Sequence, residues 1–160
     1  MLNATARKAI YQAIPTSFTI NSVPVNVSHI YSSQIPGSGY AGSYPVITLN
    51  YINEGLTAQP VAGNYTGQDG QHGFYYYATL SINILAKPIS GLGMNYVELS
   101  KEIARLLEVD MLGSDWTDLG GAQFLYKSPT RDLTHIEQTA GALDIARQQF
   151  DAFIQYNMLY

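Results

Sequence analysis

From Phe74 to Ala86 the sequence alternates strictly enough to dictate a long β-strand. Phe74, Tyr76, Ala78, Leu80, Ile82, Ile84 and Ala86 fall on one side, and Tyr75, Tyr77, Thr79, Ser81 and Asn83 on the other. A period of two is the signature of a pleated strand with two unlike faces. Thirteen residues at about 3.3 Å each span over ~40 Å, longer than most strands. The expectation is that part of this strand leaves the domain body as a hairpin arm or bends across it.

Other segments supply partners for it. Residues 3–14 read as a helix capped by Asn3, with Ala6, Ile10, Ala13 and Ile14 on one side and Pro15 as its stop. Val23, Val25, Val27, His29 and Tyr31 alternate as one half-buried strand, ended by Pro36-Gly37-Ser38-Gly39. Pro45 opens a second strand, with Ile47, Leu49 and Tyr51 sharing a side. Residues 54–73 have no period and five glycines, and read as a projecting contact loop. The clearest helix is 94–109. Its buried stripe is Tyr96, Leu99, Ile103, Leu106 and Leu107, and its outer pairs are Glu98 with Lys101 and Glu102 with Arg105. A short strand at 122–126, a turn-rich stretch at 128–141 and an alternating strand at 146–160 complete the chain. No repeat or linker divides it. Residues 1–160 therefore read as one α+β domain, a mainly antiparallel sheet with two principal helices on one face in a two-layer sandwich.

Charge decides which partners are excluded. Eight Lys/Arg against twelve Asp/Glu give a net charge of −4, too little positive charge for nucleic acid as a primary partner. Charged residues make up only 12% of the 160, about half the usual share, while tyrosine occurs thirteen times. An exterior of Tyr, Ser, Asn, Gln and Gly suits a protein contact surface; an extracellular β-protein is the other reading. No stretch approaches ~18 consecutive apolar residues, so no membrane span is expected. Residues 1–14 lack the apolar core of a signal peptide. On that footing the Asn-x-Ser/Thr triplets at Asn3, Asn26 and Asn64 read as chance.

Each catalytic template fails. Cysteine is absent, which removes thiol chemistry and disulfides. His29, His72 and His135 have no ligand spacing. Asp110, Asp115 and Asp118 lack the alternating oxygens and closing Glu of a calcium loop and read as a helix-ending turn. Glu54 and Asp69 have no partner that marks an acid–base pair. There is no GxSxG elbow, and the glycine pairs at 37–39 and 91–93 are too short to cradle phosphate. We expect no enzyme activity, no cofactor and no metal.

In its order of elements the chain resembles the tail terminator and neck (tail-completion) proteins of long-tailed viruses of bacteria and archaea. The resemblance covers nearly the whole chain and rests on Tyr44-Pro45-Val46-Ile47-Thr48-Leu49, the long strand and helix at 74–86 and 94–109, Arg131-Asp132-Leu133-Thr134-His135-Ile136, and the Arg147-Gln148-Gln149-Phe150-Asp151 lead-in to the last strand. The long 54–72 loop and the polar 31–44 segment depart from smaller relatives, which leaves the tier in the neck open.

The resemblance implies a virion protein, made in the host cytoplasm, that forms a ring of commonly six copies. It would cap the tail tube, join it to the connector, and let DNA pass through its lumen without specific binding. A head-completion connector or stopper of the same neck is the nearest alternative. A carbohydrate-binding β-rich module, with Tyr75 and Tyr77 as stacking platforms, belongs to another class. The residues expected at subunit or partner contacts are Tyr65, His72, Tyr75, Tyr77, Arg131, Arg147 and Asp151.

Overall fold

The chain runs α1 (Ala4–Ala13), β1 (Ser17–Ile20), β2 (Val23–Asn26), β3 (Ser28–Tyr31), β4 (Val46–Glu54), β5 (Tyr65–Thr66), β6 (His72–Ala86), α2 (Tyr96–Met111), β7 (Ala122–Lys127), β8 (Arg131–Asp132), α3 (Thr134–Thr139) and β9 (Ala146–Leu159) in a computed structural model. It describes residues 4–31, 42–54, 65–66 and 72–159. The Asn3 cap, the 36–39 break and most of the 54–73 loop lie outside the described residues.

The long alternating strand is not solitary. β6 and β9 pair antiparallel at every position from Gly73 opposite Leu159 to Ala86 opposite Ala146. At its start β6 also pairs with β5, Tyr65 opposite Gly73, so the stretch expected as loop contains a short hairpin. The sheet order is β3-β4-β6-β9-β7, with β5 beside β6 and β8 beside β9. Every pairing is antiparallel except β3 with β4.

The alternation buries one side of these strands under α1 and α2. Ile47, Leu49, Leu80, Ile82, Ile84, Phe150 and Ile154 meet Ile10 and Ile14 from the α1 side and Leu99, Ile103 and Leu107 from α2. Asn95 caps α2: its Oδ1 accepts the Glu98 N–H at 2.8 Å, which satisfies an amide the helix start leaves open. Gln148 is the polar residue on β9's buried side, 2% exposed, and its amide donates to Ser100 Oγ at 3.3 Å. Arg105 pairs with Glu102 as expected, but Lys101 turns to Asp132 of β8 at 3.6 Å rather than to Glu98.

Two segments differ from the sequence reading. Residues 23–31 form two strands in separate sheets: β2 makes a hairpin with β1, and β3 joins the main sheet. Asn21 and Ser22 turn the hairpin with φ of 50° and 63°, the conformation of a tight I′-type turn, and the Asn21 amide donates to Leu92 O at 2.9 Å. The turn-rich 128–141 stretch holds β8 and α3. With β7, it covers the far edge of β9: β7 at Ala152–Tyr156, the Ser128 N–H on Asp151 O, β8 at Gln148–Gln149, and the Leu133 N–H on Arg147 O.

Ile154 is fully buried between Ala78 and Phe124. Ile154→Asp is expected to cost about 4 kcal/mol or more by burying an unpaired carboxylate, lowering the melting temperature by roughly 10 °C. Calorimetry showing no shift would reverse the assignment of the two faces.

Candidate interface on the second face of the sheet

The side of the sheet away from α1 and α2 is built from the other half of the alternation. The strand register lines its side chains up in rows: Tyr77–Gln155–Gln123, Thr79–Phe153–Tyr126, Asn50–Ser81–Asp151, and Thr48–Asn83–Gln149–Arg131. These are hydroxyls, amides and rings, with charges only at Asp151 and Arg131.

The rows interlock. The Gln149 amide donates to Ser81 Oγ at 2.8 Å, and Gln123 donates to Gln155 Oε1 at 3.4 Å. Tyr126 and Phe153 stack with centroids 4.5 Å apart and planes 26° from parallel. Tyr126 stays 60% exposed, so this aromatic surface faces outward. Cross-strand pairs of this kind hold a sheet together and also offer flat contact area.

One end of the face is closed by the chain itself. Val46 and Leu85 are buried against Ala142 and Ile145, and Thr48, Ser81 and Asn83 in the next rows are also buried, at 1%, 4% and 3% exposed, so the open part of the face is chiefly that of β9, β7 and β8. Above them the Arg147 guanidinium donates to Asn83 Oδ1 at 3.0 Å and to Glu137 Oε1 of α3 at 3.1 Å. Burial pushes the Arg147 pKa below its ordinary value, although Glu137 opposes this. α3 is further tied by Thr134 Oγ1, which accepts the Arg147 N–H at 3.1 Å.

The sequence-derived contact residues therefore divide. Tyr77, Arg131, Arg147 and Asp151 come together on this face, but Arg147 is spent inside the subunit, fastening α3. Arg131 is exposed, and Tyr77 and Asp151 are half-buried. The side chains of Tyr65, His72 and Tyr75 lie outside the described residues. Sequence reasoning missed Tyr126, Phe153 and the Gln123–Gln155 pair. Phe153 carried a signal, as the one apolar residue on the polar side of the 146–157 alternation.

Elsewhere the reactive groups serve structure. His29 Nε2 donates to Pro15 O at 2.7 Å, and its ring meets Tyr11 edge-on. Asp110 accepts the Trp116 indole N–H at 3.1 Å, inside a turn that ends on Gly120 and Gly121 with φ of +67° and +92°. Among the described residues no three His, Asp or Glu side chains are grouped to hold a metal, and no helix is long and apolar enough to cross a membrane. On the helical side an open groove of about 310 Å³ lies between α2 and β8, lined by Lys101, Arg105, Glu108, Thr130, Asp132 and Gln148. Its cations are answered by Asp132, Glu102 and, for the neighbouring Lys127, Glu108 at 3.8 Å.

Scanned against models of known protein families the chain matches none, and no curated protein shows significant similarity to it.

Two consequences are measurable. Glu137→Ala leaves the Arg147 charge, 13% exposed, without its carboxylate; we expect a loss of about 3 kcal/mol and faster hydrogen exchange across 133–141. Unchanged exchange there would show that α3 is held by other means. Asp132 gives a pH signature. Burial raises its pKa, but bonds from Thr134 and Gln148 and the Lys101 charge more than offset this, leaving it below the ordinary value. Its contribution is thus present at neutral pH and lost as the pH falls through the lowered value. Exchange at 131–134 should rise only below about pH 4; a rise already at pH 6 would contradict this.

Proposed function

We propose that the protein is a structural virion component, forming a ring at the head–tail neck of a long-tailed virus and capping the tail tube where it meets the connector. The observation that carries this reading is the open part of the second face, where β6, β9 and β7 present Tyr77–Gln155–Gln123 and Thr79–Phe153–Tyr126 in register, nearly free of charge, with Tyr126 exposed at the edge. Covering such a surface with another protein strands few ions, so little desolvation opposes the contact. His29 and the Asp110 turn are engaged within the fold, which supports an assembly role over chemistry. The element order and the Arg147–Asp151 and Tyr44–Leu49 strings favour the neck. A connector or stopper of the same neck is the alternative.

A second reading has one specific observation in its favour. The Tyr126–Phe153 stack beside the Gln123–Gln155 amides offers a sugar ring an apolar platform and hydrogen-bonding groups.

Native mass spectrometry with negative-stain imaging tests the first reading, the expected result being closed rings of one fixed copy number. A monomer throughout the concentration range overturns it. Saturable binding on a glycan array, abolished by Tyr126→Ala, would move the assignment to the second.

A further inference from the structure

Among the described residues Arg131 and Asp151 are the two charges on the second face that enter no ion pair, the Gln149 amide standing between them. Arg131 donates to the Gln149 amide oxygen and enters no ion pair among the described residues. Asp151 is half-buried, and among the described residues its carboxylate meets only the Gln149 amide, at 3.5 Å. A carboxylate has about four acceptor positions, so most of its capacity is unused. Arg147, the other cation on this face, is closed onto Glu137 and leaves Asp151 alone.

The two charges stand in neighbouring rows, since Arg131 pairs with Gln149 and Asp151 is the next residue of β9 on the same side. One end of the open face is thus positive and the middle negative, with the Tyr126–Phe153 stack one row beyond. A surface carrying one charge of each sign is its own complement under a two-fold rotation, because turning it over sets plus against minus. The chain as a whole is acidic at −4, so two copies repel each other across most other surfaces.

We propose that this face docks a second copy of the chain about a two-fold axis, Arg131 of each subunit on Asp151 of the other, with the aromatic stacks packed beside them. The proposal rests on the reading that the face is made for a protein neighbour. Thr48, Ser81 and Asn83 are already buried within the subunit, so the open part is chiefly β9 with β7 and β8 over four rows, roughly 250 Å² per copy and about a third of a standard interface, and the association is weak. Ring closure would use other surfaces. The two-fold contact doubles the mass the chain otherwise has, pairing monomers or pairing whole rings.

The test is a charge swap read by sedimentation equilibrium over roughly 10 µM to 1 mM, the range a weak contact of this size requires. The wild-type protein is expected at twice the mass of Asp151→Arg and of Arg131→Asp, and the combined R131D/D151R protein at the wild-type mass. Asp151→Asn, which keeps the shape and removes the charge, should also halve the mass while leaving the melting temperature unchanged. Added salt should weaken the doubling. Equal mass in the wild type and D151N, or no recovery in the double variant, overturns the proposal. The ring reading is judged separately: fixed-number rings that ignore every variant remove the two-fold contact and leave the ring standing. Charge-dependent pairs without rings do the reverse.

Discussion

The ladder between β6 and β9 is the constraint on which the rest of the molecule depends. Each strand satisfies one edge of the other over its full length, from Gly73–Leu159 to Ala86–Ala146. Because the pleat sends successive side chains to opposite sides, this register fixes two surfaces at once. Ile82 beside Phe150 can lie under α2 only if Ser81 beside Asp151 lies on the other side. A slip of one residue would bury Asp151 and Gln149 and expose Phe150 and Ile154. The apolar core therefore also specifies the outer face.

That coupling explains how the part of the face beyond α3 keeps its order. Gln149 reaches back to Ser81, Asn83 holds Arg147, and Arg147 fastens Glu137 of α3. The polar groups are pinned across strands, so little side-chain freedom is left to lose when something covers them. Low charge and prior order both favour contact with a protein surface. The groove beside α2 contrasts with this: its lysine and arginine are held in ion pairs at a solvated rim, where such pairs add little.

The readable parts of the sequence were those where one period governed a long run. The two long strands and α2 are legible because burial alone decides their pattern. The β1–β2 hairpin was hidden by an Asn-Ser turn instead of the stronger Asn-Gly signal, and by Val27, whose burial bridges two strands that belong to different sheets. α3 has six residues and no side-chain bond from Leu133; Asp132 accepts the Thr134 N–H at its start, and Arg147, thirteen residues beyond Thr134 in sequence, ties it down, a contact that no local rule sees. Similarly, Arg147 is expected at a contact because it opens the Arg147–Asp151 lead-in on which the resemblance rests. Only the fold brings Glu137 to it.

The lone tryptophan has a use that follows from where it sits. Trp116 is buried beyond the end of α2, its indole bonded to Asp110 and its ring edge-on to Phe124, on the helical side of the sheet. Its emission therefore gauges the integrity of the α2–β7 junction and not the wetness of the opposite surface. Light from one residue separates a chain that has come apart from one that has merely found a neighbour.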